Sequence, residues 1–268
     1  MTQAMRDSIT PLIITYNEAP NIGRVMDKLA WAKRIVVLDS GSSDDTLAIV
    51  RRWPQAEIHT RSFDSFAGQC NHGLSLIGSG WVLSLDADYV LSDRLVAEIA
   101  ALEPPEAVAG YRASFIYCVH GRNLRGTLYP PRTVLYRAGH ARYHDVGHGH
   151  RVTVEGEVKS LAAPIFHDDR KPLGRWLQSQ QSYARTEAAH LLSSPPEALS
   201  RNDRLRLMAW PAPVLVLLYT LFVKGAVLDG WPGWFYALQR LLAETVLTLE
   251  IIDRRAAPRQ PSETSSNP

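Results

Sequence analysis

Short apolar runs alternate with helical stripes over the first 90 residues or so. Ile9–Thr15 is an apolar run consistent with a buried strand. The turn residues Tyr16-Asn17-Glu18-Ala19-Pro20-Asn21 break it, and Ile22, Val25, Met26 and Leu29 then recur along one helical face. Residues 34–38 read as a second strand, and residues 47–53 as a helix stopped by Pro54. A third strand is expected over 57–61, a helix over 66–76 and a fourth strand over 81–85. This alternation predicts an α/β fold with parallel winding.

The later pattern is less regular. Residues 91–102 form an amphipathic stripe ended by Pro104-Pro105, and residues 110–117 alternate as a strand does. Residues 121–131 read as a loop whose Arg122 and Arg125 either meet an anionic acceptor or are solvated. Another strand is expected over 133–137, and 163–167 is a short apolar run ending at His167. A long helix is expected over 174–192, and the prolines of 193–200 mark a boundary. The uncharged stretch 207–223 is 17 residues long and is interrupted by Pro211 and Pro213. A spanning helix needs about 20 apolar residues. In 234–252 the charges of Arg240, Glu244 and Glu250 leave an amphipathic stripe that includes Leu238, Leu242 and Leu249. Trp210, Trp231 and Trp234 flank these segments, as interfacial tryptophans do, and Arg201, Arg204 and Arg206 suit anionic headgroups. The expected organisation is an α/β domain over 1–200, a helical hairpin lying on a membrane over 201–255, and a disordered tail over 256–268. The hairpin packing on the domain or on a second subunit is the alternative.

Composition narrows the function classes. The 268 residues are 46% hydrophobic, enough for a sizeable core, and the net charge of +2 gives no global argument for nucleic acid. Two cysteines, Cys70 and Cys118, make no disulfide framework and fit a reducing cytoplasm. The first ten residues lack the layout of a signal peptide.

The candidate chemistry lies where strands end. The fourth strand runs into Asp86-Ala87-Asp88, and the second into Asp39-Ser40-Gly41-Ser42-Ser43-Asp44-Asp45-Thr46. In open α/β sheets ligands bind at the carboxyl ends of strands, so Asp39 and the Asp86/Asp88 pair are expected to face one ligand. Two carboxylates there hold a hard divalent cation, Mg²⁺ or Mn²⁺, against a diphosphate. A carboxylate also accepts from the uracil imide or from ribose hydroxyls, so a nucleotide sugar suits the arrangement. The plain alternatives are solvated turn aspartates at 86 and 88, and helix capping by the acidic loop. No Gly-x-Gly-x-x-Gly follows the first strand and no phosphate-binding Gly-x-x-x-x-Gly-Lys-Ser/Thr occurs, which argues against dinucleotide-binding and P-loop domains.

Thr15-Tyr16-Asn17-Glu18, then Val37 through Thr46, then Leu85-Asp86-Ala87-Asp88 resemble, in order and interval, family 2 glycosyltransferases of the GT-A fold. Gln69-Cys70-Asn71 is similar to a pattern in bacterial members that extend lipopolysaccharide cores or other surface glycans. The resemblance covers about residues 9–190. It implies that Thr15, Tyr16, Asn17, Glu18 and Ser40 border the nucleoside and that Asp39 reads the base. Asp86 would contact ribose or metal, and Asp88 would be the principal metal ligand. Tyr89 stands where many relatives carry a further acidic residue. Arg132 would reach the diphosphate, and His167 would lie near metal or diphosphate, with a core histidine as the alternative.

Residues 143–152, Tyr-His-Asp-Val-Gly-His-Gly-His-Arg-Val, hold candidates for the base that an inverting transfer requires. Aligned on Gly156, His150 occupies the place of a glutamate in relatives. The expected order of candidates is His150, then Asp145, then His148. A zinc site of His144, His148 and His150 is a weaker alternative, because their spacing does not put all three on one face.

The resulting expectation is an inverting hexosyltransferase. It would use a nucleotide sugar, a UDP-sugar first, with a glycan or lipid-linked acceptor on the cytoplasmic face of the inner membrane and no nucleic-acid partner. A nucleotidyltransferase would need a glycine- and lysine/arginine-rich loop after the first strand, which Tyr16–Asn21 lacks. A non-catalytic membrane-associated binding protein is the other alternative, prompted by the missing glutamate.

Overall fold

The apolar runs become the middle of a mixed, mostly parallel sheet. The computed structural model describes residues 3–146 and 149–256. In chain order its first half contains α1 (Gln3–Asp7), β1 (Ile9–Thr15), α2 (Ile22–Lys28), β2 (Ile35–Asp39), α3 (Thr46–Val50), β3 (Ala56–Thr60), α4 (Phe66–Ile77), β4 (Trp81–Asp86), β5 (Tyr89–Leu91) and α5 (Asp93–Ala100). Next come β6 (Val108–Ala113), β7 (Phe115–Val119), β8 (Arg122–Asn123), β9 (Arg132–Arg137), β10 (Ala141–Val146), β11 (Gly149–Val154), β12 (Glu157–Ser160) and β13 (Ile165–His167). The chain closes with α6 (Leu173–Ser193), α7 (Arg201–Leu207), α8 (Pro211–Leu218) and α9 (Trp231–Ala256).

Among the described residues, seven strands form the main sheet in the order β12-β6-β9-β4-β1-β2-β3. β3, β2, β1 and β4 are parallel, whereas β9 runs antiparallel to both β4 and β6. Thr15 pairs with Asp39, and Ile14 with Asp86, so three motif residues end together at one sheet edge. Helices cover both faces. Ile22, Val25 and Met26 of α2 and Leu95 and Ile99 of α5 pack with Ile13, Val37 and Leu83. On the other face Cys70, Leu74 and Ile77 of α4 meet Leu12, Val36 and Val82. Burying each such aliphatic side chain contributes about 1.5–3 kcal/mol. Gly73 lets α4 approach β1, since a Cβ there would lie 2.5 Å from Leu12 Cδ1. Ser65 caps α4 by accepting from Gly68 N at 3.0 Å, and Gly78, at φ +77, ends the helix.

Several elements differ from the sequence reading. The single alternating strand over 110–117 is two strands, β6 in the main sheet and β7 in a smaller one, with Ser114 between them. The smaller sheet has the order β5-β13-β7-β8 and sets His167 in register with Tyr89 on one side and Tyr117 on the other. The stripe at 91–102 starts as strand β5, and α5 begins only after Ser92, whose hydroxyl accepts from Leu95 N at 3.1 Å. The histidine loop is an antiparallel hairpin of β10 and β11.

The C-terminal part is more than a two-helix hairpin. α7 opens with a capping box between Ser200 and Asp203, and a wide turn at Tyr219–Val223 extends α8. α9 packs Leu247 and Ile251 against Ala184, Ala188 and Leu191 of α6. Its Tyr236 packs with Val119 and Leu124, so these helices do contact the α/β domain. Among the described residues no helix is long and apolar enough to cross a membrane. Almost all of the tail expected to be disordered lies outside the described residues.

Candidate active site

Two loops at the shared sheet edge are tied to each other by side chains. Asn17 adopts a left-handed φ of +54, a conformation that asparagine tolerates better than most residues. Its Oδ1 accepts from Ser43 N at 2.6 Å and Asp44 N at 3.2 Å, while its own N–H donates to Ser42 Oγ at 2.7 Å. Glu18 N donates to Thr46 Oγ1 at 2.6 Å. Ser40 N donates to Thr15 O at 2.9 Å. Tyr16 remains exposed, and the Arg175 guanidinium donates to its carbonyl at 2.9 Å. Thr15 Oγ1 is buried with no hydrogen-bond partner among the described residues, a polar atom left open at the edge.

Asp39 is buried and braces its own loop. One oxygen accepts from Gly41 N and Ser42 N at 2.9 and 2.8 Å, the other from Ser42 Oγ at 2.5 Å. Three of about four acceptor positions are thereby used. The structure does not place Asp39 as a helix cap, because Asp45 precedes α3.

Beyond β4 the chain turns through Asp86-Ala87-Asp88 into β5. Asp88 is buried, and its Oδ2 lies 3.2 Å from His167 Nε2. Burial would raise the Asp88 carboxyl, but the His167 and Lys171 charges outweigh it and hold the group at about 2. Burial likewise opposes the His167 imidazolium, and Asp88 first, then Asp86 and Asp169, raise it above its ordinary value. Lys171 pairs with Glu18 at 2.7 Å and Asp169 at 3.5 Å. Burial first, then the neighbouring Asp88, raise the Glu18 carboxyl to about 7, although Lys171 opposes the rise.

Tyr89, in the position where relatives carry an acidic residue, is buried, and its hydroxyl contacts that of Tyr129. Tyr89, Tyr117 and Tyr129 ring the His167 imidazole at centroid distances of 5.3, 4.8 and 4.8 Å. Arg132 lies over Tyr129 at 4.7 Å and in the field of Asp86.

The hairpin faces the same edge. His150 is half-buried, stacked on Phe66 at 5.6 Å and tilted against Tyr143 at 5.4 Å. Burial lowers its pKa, the Asp86 and Asp145 carboxylates oppose this, and Arg132 reinforces it. Asp145 pairs with His150 across the hairpin, but its Oδ1 accepts from Ala67 N at 3.0 Å and so helps to cap α4. His148 lies outside the described residues, and His144 is exposed.

A divalent cation is tested by the donor set. Among the described residues no three His, Cys, Asp or Glu side chains converge as a ready cation cage. Such a cation often takes one or two carboxylates and completes its shell with substrate phosphate and water. Asp88 and Asp86 fit that pattern, while imidazole is the less favoured donor for Mg²⁺ or Mn²⁺.

Several residues act through distant partners that periodicity along the chain does not pair. Asp168 accepts from Arg24 NH1 at 2.7 Å, Arg170 Nε at 2.9 Å and Gly121 N at 3.1 Å, which fixes the segment carrying Lys171. Gln69 donates to Ser40 Oγ at 3.2 Å and Arg61 O at 3.0 Å. Asn71 exchanges two hydrogen bonds with the Tyr143 backbone, at 3.0 and 2.9 Å. The Gln-Cys-Asn segment thus joins the loop after β2 to the hairpin.

Comparison with known proteins agrees with the motif reading. The family model described as Glycosyl transferase family 2 matches residues 11–151. An uncharacterized glycosyltransferase of Rickettsia conorii is 33% identical over 100 residues, which is 37% of this chain and 35% of that protein. The chain thus spans about a third of the length of the Rickettsia relatives it matches. The lipopolysaccharide core biosynthesis glycosyltransferase LpsC of Rhizobium meliloti is 24% identical over 271 residues, 95% of each chain. Among solved structures, glucosyl-3-phosphoglycerate synthase of Mycobacterium tuberculosis, in complex with Mn²⁺, uridine diphosphate and glucosyl-3-phosphoglycerate, has 16% identity and a TM-score of 0.48. That match covers 72% of this chain and 82% of that one.

Proposed function

The chain belongs to glycosyl transferase family 2, and on that premise we propose that it moves a hexose from a UDP-sugar to a lipid-linked acceptor of the lipopolysaccharide-core type, with inversion. The observation that carries this reading is the loop pair Thr15–Glu18 and Asp39–Thr46, tied through Asn17 and Glu18 beside the Asp88–His167 contact. It supplies a nucleoside cradle and a diphosphate end on one sheet edge. Likeness to LpsC over 95% of both chains supports the acceptor class.

In this reading Thr15, Tyr16, Asn17, Glu18 and Ser40 border the uridine, and Asp39, which braces its own loop, reads the base. Arg132 and Lys171 face the diphosphate. Asp88 and Asp86, with His167 beside them, would hold a divalent cation, which would offset the charge of the departing diphosphate. His150 is the base, and its lowered pKa keeps the imidazole neutral and able to accept a proton near pH 7. The acceptor hydroxyl gives its proton to His150, its oxygen bonds to the anomeric carbon, and the bond from that carbon to the diphosphate oxygen breaks. Asp145 holds the hairpin to α4 and is second in order as base; His148 is third.

In the same reading, residues 1–200 are the catalytic domain and the C-terminal helices would lie on the cytoplasmic face of the inner membrane. Trp210, Phe222, Val223 and Leu228 support this, each more than half exposed although apolar. The test is release of UDP from a panel of UDP-sugars with envelope glycolipid as acceptor. Wild type is expected to release UDP with one donor, and Asp88→Ala is not. Equal release by both, or by neither with any donor, overturns the reading.

A further inference from the structure

A cavity of about 110 Å³ lies between α6 and the helices α7, α8 and α9. Leu128, Gln180, Tyr183, Glu187, Arg206 and Arg240 are among its walls. One water needs only about 10–15 Å³ on this measure, so a phosphate- or carboxylate-sized group has room.

The two guanidiniums in its wall differ. Arg206 is neutralised, with Nε 2.5 Å from Glu244 and NH1 3.4 Å from Glu187. Arg240 has no ion pair among the described residues, and its Nε is buried without a hydrogen-bond partner. It rests over the Tyr236 ring at 5.8 Å, and that contact gives the Nε–H no acceptor. A buried donor left unmade is costly, and a planar guanidinium matches an oxyanion.

The cavity connects two regions already described. At one end the phenol of Tyr183 lies in the field of Asp86, Asp88, Asp169 and Lys171. Leu128 N donates to Tyr236 OH at 3.1 Å, and Tyr236 packs on Tyr117 at 4.7 Å, next to His167. At the other end Val216 belongs to α8, whose Val214, Leu215 and Leu218 are exposed. A molecule crossing the cavity would therefore have its polar head at the donor edge and its apolar part on the outer helices.

We propose that this cavity is the acceptor subsite, that Arg240 grips an oxyanion, a phosphate or a carboxylate, on the acceptor sugar, and that the acceptor is therefore an anionic glycolipid. This rests on the glycosyl-transfer reading above. The full chain is first saturated with UDP and Mg²⁺, so that the donor site is filled. Inorganic phosphate and glucuronate are then titrated separately by calorimetry, which tells the two oxyanion sources apart. Wild type is expected to bind at least one in the millimolar range, and Arg240→Met to weaken it roughly tenfold or more. Arg240→Lys retains part of the affinity. Ala243→Trp fills the cavity and abolishes anion binding with Arg240 intact. UDP affinity stays unchanged in all three, which shows that each is folded. Wild-type affinity in Arg240→Met, or no binding of either anion to wild type, overturns the proposal. Failure of UDP to bind wild type instead overturns the donor reading, and the anion titrations are then judged without nucleotide.

Discussion

Asp88 Oδ2 and His167 Nε2 lie 3.2 Å apart, and each overturns the shift that burial alone would impose on the other. The sign follows from linkage. The depressed Asp88 carboxyl contributes stability above about 3.8 that is lost as pH falls through about 2. The raised imidazole contributes stability below about 6.5 that is lost as pH climbs through its folded value. We expect His167 to titrate above 6.5 by NMR in the metal-free protein and to drop in Asp88→Asn, where burial meets less opposition. Added Mg²⁺ should compete with the proton, so its affinity falls at lower pH. An unchanged His167 titration in Asp88→Asn contradicts the coupling.

Asn17 ties the loop after β1 to the loop after β2, the two loops of the proposed nucleoside cradle. Asn17→Ala removes its bonds to Ser43 N and Asp44 N and leaves alanine at φ +54, a strain of about 1–2 kcal/mol. UDP affinity should fall by roughly tenfold. Asn17→Gly restores the backbone but not the bonds and should fall between the two. Calorimetry checks both, and wild-type affinity in Asn17→Gly would show that the side-chain bonds do not shape the cradle.

In the proposed transfer His150 is the base and must be neutral to act. Burial lowers its pKa, so kcat should rise with pH along a limb centred below 6.5 and then level off. His150→Ala should lower kcat by about 10²–10⁴-fold and remove that limb. Asp145→Asn should shift the limb further down, because one opposing carboxylate is gone. A limb that survives His150→Ala assigns the base elsewhere.

Much of this site could be read along the chain because its residues follow their own strands. The apolar runs of β1, β2 and β4 place Thr15, Asp39 and Asp86 together by register alone. The short run before His167 placed that histidine at a strand end for the same local reason. What escaped depends on partners far along the chain. Asp145 caps a helix 78 residues earlier, and Asp168 holds Arg24 across 144 residues. No periodicity encodes such pairs. The break at Ser114 was invisible because apolar alternation continues through it while the strands part into two sheets. The depth of Asp39 in its loop comes from bonds to residues only two and three positions on, yet its burial depends on the sheet around it.

The exposed apolar face of the C-terminal helices predicts lipid binding. Trp210 is 78% exposed and Val223 68%, so water meets them in the free protein. Co-sedimentation with phosphatidylglycerol vesicles should capture the wild type, and replacing Trp210, Trp231 and Trp234 together by serine should weaken capture by more than roughly tenfold. Equal capture of both contradicts the membrane placement.

A cation-assisted UDP-sugar site at the edge shared by Thr15, Asp39 and Asp88 makes nucleotide binding depend on both the metal and the carboxylate. Calorimetric titration of UDP into wild type and Asp88→Ala, with and without Mn²⁺, tests it most directly. Saturable binding to wild type with Mn²⁺ is expected, and binding roughly tenfold weaker or more when either the metal or the carboxylate is missing. Metal-independent binding of equal strength in both proteins, or no binding to wild type, would contradict it.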